Sequence, residues 1–160
     1  MRTYEGSLDG RHLRIAVVAS RFNQTIVGQL VEGALDCLRR HGVDEQDTSL
    51  TWVPGAFELG STAHRIAASG EIDAVLCLGA VIRGETPHFE HVAEEAAHGV
   101  AAAAQATGVP VIFGVLTTND IDQAADRAGG KAGNKGFDAA IAAIEMANLY
   151  AALPKPATEL

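Results

Sequence analysis

Aromatic residues are scarce in this chain: Phe, Tyr and Trp make up 5% of it, although 48% is apolar. A core without many large rings has to be built from Val, Ile, Leu and a great deal of Ala, which favours helix and lets helices approach closely. Cysteine is almost absent too. Cys37 and Cys77 form no CxxC pair and sit inside apolar patterns, which points to buried free thiols in a reducing cytoplasm and away from a disulfide framework. No cluster of Lys and Arg stands out, and the net charge is −8. Proteins that grip nucleic acid through its phosphates usually carry a basic face, so the scattered cations here suit a small anion instead.

Long apolar runs are missing as well. The N-terminal MRTYEGSLDGRHLR lacks the apolar stretch of a signal peptide. The most membrane-like window, residues 99–116, is interrupted by Gln105, Thr107, Gly108 and Pro110, and reads as a helix end followed by a strand. The 160 residues fit one domain with one substantial core. With no repeat or linker in sight, that domain is expected to span 1–160, with extended or frayed tails at 1–12 and 154–160.

What is present is an alternation of short apolar runs and longer amphipathic ones. Residues 14–19 (RIAVVA), 49–53, 74–82 and 109–116 read as buried strands. Between them, residues 25–40 place Ile26, Val27, Leu30, Val31, Ala34, Leu35 and Leu38 on one helical face, with Gly42 as a stop. Helices are also predicted over 56–69, 87–107 and 137–153, with a short one that starts at Asp120 and ends at Gly129-Gly130. Asp120 and Gln123 have capping-box spacing. Strands that alternate with helices imply a parallel sheet covered on both faces. The expected fold is α/β, a flavodoxin-like three-layer sandwich with four parallel strands. Its ligand site should lie beyond the carboxyl ends of those strands, which puts residues 20–23, 54–58, 79–88 and 113–119 along one rim.

The richest of these segments is GAVIRGETPH, residues 79–88. Thr86 suits an N-cap and Pro87 a first helical position, so the turn opens a helix whose free N–H groups and dipole favour an anion. A capped turn without a ligand has the same sequence, but His88 adds a proton shuttle at the same rim. The helix also offers a rival reading. His88, His91, Glu95 and His98 fall within about 80° of arc, which suits a metal site or a solvated face. Phe22 is either a lid on the core or a plate for a planar ring, and Phe113, inside a strand, is core by default. Glu58 sits in a first helical turn, where a carboxylate is favourable with or without a ligand. Arg127 either satisfies a helix C-terminus or clamps a phosphate in bidentate fashion. The run GGKAGNKG is no P-loop, since Gly136 follows Lys135.

RIAVVASRFN, VPGAFELG, GAVIRGETPHFEHV, GVLTTND and DRAGGKAGNKGFDAAIAAIEMANL together resemble the lumazine synthase family, in family order and over nearly the whole chain. The resemblance implies condensation of 5-amino-6-(D-ribitylamino)uracil with 3,4-dihydroxy-2-butanone 4-phosphate to 6,7-dimethyl-8-ribityllumazine, the penultimate step of riboflavin biosynthesis, without cofactor or metal. It implies that Phe22 stacks on the pyrimidine and that Ala56, Phe57, Ala80, Val81 and Ile82 bond its edges through their backbones. Asn23, Glu58 and Lys135 would face the ribityl chain. Gly84, Glu85, Thr86 and Arg127 would hold the phosphate, and His88 would move protons. Phe113, Arg127 and Lys135 would come from a neighbouring subunit of a pentamer. The compact link RAGGKAGNKG is similar to that of members forming sixty-subunit shells. Gly60 and Gly130 depart from the bulkier residues common there. An archaeal-type riboflavin synthase, or a non-catalytic lumazine- or flavin-binding shell protein, is the alternative on the same fold.

Overall fold

The computed structural model describes residues 1–157. Its elements run β1 (Ile15–Ser20), α1 (Gln24–Arg40), β2 (Thr48–Val53), α2 (Leu59–Ala67), β3 (Ala74–Ile82), α3 (His88–Thr107), β4 (Val111–Thr118), α4 (Ile121–Arg127), β5 (Ala128–Gly130), β6 (Gly133–Asn134) and α5 (Lys135–Ala152). β1 to β4 form one parallel sheet in the order β2-β1-β3-β4. Alternation along β1 sends Ile15, Val17 and Ala19 into the layer of α1 and α5, and Ala16 and Val18 into that of α2 and α3. Both faces of the strand are therefore buried, which is why its sequence is continuously apolar rather than alternating. The result is the flavodoxin-like three-layer sandwich.

Element ends follow local chemistry. Asp120 caps α4 by accepting from the Gln123 N–H at 2.8 Å, but Gln123 Oε1 accepts from Asn119 N rather than from Asp120 N, so the expected box closes one residue early. β4 begins two residues later than predicted. Pro110 precedes it, has no N–H, and gives only its carbonyl, to Val75 N at 2.9 Å. The helix predicted over 56–69 opens instead with a 3-10 turn, Ala56–Glu58, before α2. α5 starts two residues early because the Asn134 side chain accepts from both Gly136 N and Phe137 N. The antiparallel pair β5 and β6 was not expected. It is a tight ribbon within AGGKAGN, with Gly129 at φ 104° and Gly133 at φ 81°.

α2 and α3 cross almost backbone to backbone. A Cβ added at Gly60 would stand 2.6 Å from Gly99 Cα, and one at Gly99 3.2 Å from Gly60 Cα, so this pair of glycines permits the approach. Gly130 is similarly tight: a Cβ there would stand 2.7 Å from Asp126 Cα. The N-terminal segment has no regular structure, but it is tied down: Asn148 Nδ2, on α5, donates to the Ser7 and Asp9 carbonyls at 2.9 Å each. Residues 154–157 are irregular, and the rest of the tail expected at 154–160 lies outside the described residues.

Candidate active site

β1, β2 and β3 end at one rim, and the chain turns there into α1, the 3-10 turn and α3. These three turns enclose a cavity of about 580 Å³. Phe22 and Asn23 reach it from β1, and Pro54, Gly55, Ala56, Phe57 and Glu58 from β2. Ala80, Val81 and Ile82 come from the end of β3, and Gly84, Thr86, His88, Phe89 and Val92 from the start of α3. Its volume falls within the range usual for small-molecule sites.

Phe22 is 72% exposed and Phe57 55%. Neither ring is a lid on the core, so both are open to a planar ligand. Asn23 occupies the left-handed region, φ 59° and ψ 44°, a conformation that Asn tolerates better than most residues. Its Nδ2 donates to the Ala80 carbonyl at 2.8 Å, at a point where β3 has run past its pairing with β1, which stops at Ala19↔Leu78. Glu58 Oε2 accepts from Gly55 N at 2.9 Å. One oxygen of the carboxylate thus closes its own turn while the residue lines the cavity.

α3 starts one residue later than predicted. Pro87 takes the N-cap position, with φ −69° and ψ 3° and no side-chain cap. Thr86 is not the N-cap: at ψ 3° Pro87 is itself outside helical geometry, so the helix begins at His88 and Pro87 stands at its N-cap. No side chain caps that turn, which borders the cavity beside His88 at the positive end of a helix of 20 residues. His88, His91, Glu95 and His98 all lie on the exposed side of α3. Among the described residues, no group of three His, Cys, Asp or Glu side chains converges as metal ligands would.

Four expected site residues do not line this cavity. Glu85 is exposed on the loop between Gly84 and Thr86. Phe113 is neither core nor rim: it is 42% exposed and pairs with Cys77, whereas the rim pair is Ile82↔Thr118. That leaves it about 16 Å down β4 from Thr118 at the usual rise per residue. An apolar residue in a strand suggested core, but β4 is the sheet's edge strand. Arg127 ends α4 and donates from Nη1 to the Gln123 carbonyl at 3.0 Å. Lys135 opens α5 and lies 3.4 Å from Asp138. In the other direction, Phe89 and Val92, which no motif singles out, line the cavity. Their place in the cavity wall could have been inferred from their position one and four residues after His88. Cys37 and Cys77 are fully buried free thiols. Burial pushes them up to about 11 and about 12, so neither is an ionised nucleophile near neutral pH.

Comparison with known proteins bears directly on this arrangement. The family model of 6,7-dimethyl-8-ribityllumazine synthase matches residues 12–151. The chain belongs to the lumazine synthase family. Two curated relatives, from two strains of Clostridium kluyveri, are each named 6,7-dimethyl-8-ribityllumazine synthase. Each is 55% identical over 149 residues, which covers 93% of this chain and 97% of the relative. The region shared with the lumazine synthase family runs from just before β1 to within one residue of the end of α5, so every cavity-lining turn lies inside it. Phe113, Arg127 and Lys135 lie inside it as well, although this chain holds them away from its own cavity.

Proposed function

We propose that this chain catalyses the lumazine synthase condensation. The observation that carries the reading is the cavity itself: two open aromatic rings, the strand-end backbone of Ala80–Ile82, a helix N-terminus and His88, in a chain of this family. Phe22 stacks on the pyrimidine, a contact typically worth about 1–3 kcal/mol. Backbone groups of Ala56, Phe57, Ala80, Val81 and Ile82 bond its edges, and Asn23 and Glu58 face the ribityl chain. Gly84, Glu85 and Thr86, with the N–H groups that open α3, hold the phosphate.

The substrates carry most of the chemistry. An amine of the uracil attacks the ketone and water leaves, giving an imine. Phosphate is then eliminated, and the second amine closes the ring with loss of another water. His88 serves the proton transfers, a role commonly worth about 10²–10⁴-fold. Positioning two substrates in one cavity supplies a larger share. No step needs a Schiff-base lysine, a metal or an organic cofactor.

We further propose that the protein is a single domain that works in the cytoplasm, as its buried free thiols suit, and that it assembles as pentamers and as a sixty-subunit shell. In that assembly Phe113, Arg127 and Lys135 serve a neighbour's cavity, with Arg127 clamping the phosphate. Their distance from their own cavity supports this reading. The test is to mix purified protein with the diaminouracil and the butanone phosphate and follow lumazine absorbance and phosphate release. No turnover above the spontaneous reaction would sink the proposal, and consumption of lumazine instead would favour the riboflavin synthase alternative. Light scattering separates a pentamer from a shell.

A further inference from the structure

The loop that carries the anion-binding groups has little of its own to hold it. Among the described residues, no hydrogen bond holds Gly84, Glu85 or Thr86, and a Cβ added at Gly84 would meet nothing within 4 Å. All residues from Arg83 to His88 are exposed. The loop is fixed from its ends, and Arg83 contacts both. Its N–H donates to the Thr118 carbonyl at 2.9 Å, extending the ladder of β3 and β4 by one bond. Its Nε donates to Asn119 Oδ1 at 3.1 Å. Its guanidinium carbon stands 4.6 Å from the centroid of the Phe89 ring, and Nη1 lies 3.7 Å from Glu90 Oε1. One side chain therefore ties the end of β4 to the first turn of α3, across the loop that supplies Gly84, Thr86 and the approach to His88.

The contacts are not equal. The ion pair with Glu90 joins two half-exposed groups and is worth little in water. The stacking on Phe89 and the charge-assisted bond to Asn119 are directional, and Arg provides both from one planar group. Phe89 also lines the cavity, so the ring held by Arg83 is itself a wall of the site.

We propose that Arg83 is a positioning residue for the phosphate half of the site: it staples the Gly84–Pro87 loop between β4 and α3 and keeps the helix N-terminus in register with the cavity. This rests on the function proposed above. Arg83→Met preserves length and removes both directional contacts. We expect it to raise the KM for the butanone phosphate on the order of tenfold, from the loss of one cation–π contact and one charged hydrogen bond. The KM for the diaminouracil, bound at the other end, should stay within about twofold. Arg83→Lys should recover part of the loss by restoring a cation over Phe89. Asn119→Ala should act in the same direction as Arg83→Met and add nothing to it in the double variant, because both remove the same link.

Hydrogen exchange at the bonded amides of Arg83 and Glu90, which flank the loop, supplies a readout independent of turnover and should quicken in Arg83→Met and not elsewhere. Unchanged exchange would overturn the proposal. Faster exchange with an unchanged KM would overturn it too, since the loop would then be one that the phosphate does not use. If the unaltered protein gives no turnover, the functional reading fails. The exchange experiment still decides whether Arg83 holds the loop.

Discussion

Asn23 joins two demands at one position, and its substitutions should separate them. Its backbone is left-handed, at φ 59°, and its side chain donates to the carbonyl of Ala80, a residue only 3% exposed. Removing the amide forfeits a hydrogen bond and leaves a buried acceptor unpaired, together about 1–2 kcal/mol. Asn23→Gly should cost about that, plus roughly 0.5–1 kcal/mol for the added freedom of the unfolded chain. Asn23→Ala loses the same bond but must also hold the left-handed conformation, at about 1–2 kcal/mol. Alanine should therefore be the worse substitute, by about 0.5–1 kcal/mol. Asn23→Asp keeps the conformation but sets a carboxylate against a carbonyl, so it should be no better than glycine. Urea unfolding at one fixed protein concentration measures the order, since the stability of an assembling protein depends on concentration. If Ala were as stable as Gly or more so, the backbone of Asn23 would not be strained and the explanation would fail.

Three other outcomes follow from close contacts and burial. Gly60→Ala should cost about 1–3 kcal/mol of stability by urea unfolding, because its Cβ meets the Gly99 backbone at 2.6 Å; Gly99→Ala, whose Cβ would stand 3.2 Å from Gly60 Cα, should cost less. Ser20 Oγ is buried without a hydrogen-bond partner among the described residues, so Ser20→Ala should be neutral or stabilising. Gly79→Ala would place a Cβ 2.9 Å from that oxygen and should be rescued in part by Ser20→Ala in a double-mutant cycle. Cys37 and Cys77 should resist a thiol reagent at pH 8 until urea unfolds the protein. Their folded pKa values, about 11 and about 12, lie above the ordinary 9.0. The stability they contribute is therefore whole below pH 9 and is lost as pH climbs toward 11–12, a slope that Cys77→Ala should reduce.

The central strands were legible because a parallel sheet covered on both sides makes them continuously apolar, and the run at 74–82 has the very bounds of β3. The turns bearing Phe22, Phe57 and His88 were legible because they follow strand ends, where such a fold opens to ligands. Other features depend on the third dimension. Nothing in the spacing of Arg83 says that it reaches Asn119, 36 residues on. The β5–β6 ribbon is too short for any periodicity, and its glycines read equally well as a plain loop. Phe113 reads as core because it is an apolar residue within a strand, yet on the edge strand β4 it is 42% exposed.

The off-cavity positions of Arg127 and Lys135 carry the strongest consequence. The cavity of one chain has two open aromatic rings, a helix N-terminus and a histidine, but among the described residues no Lys or Arg lines it. A phosphate that leaves during the reaction needs more counter-charge than backbone N–H groups supply. If a neighbour provides Arg127, two damaged variants can repair each other. Phe22→Asp spoils a chain's own cavity and leaves its Arg127 sound, while Arg127→Ala does the reverse. Unfolded together in equal amounts and reassembled, they should place an intact cavity beside an intact Arg127 at about one site in four, by random assortment around a symmetric ring. Activity near a quarter of the unaltered protein is the expected result, against almost none for either variant alone. If each chain completed its own site, the mixture would be as inactive as its components, and the shared pocket would have to be abandoned.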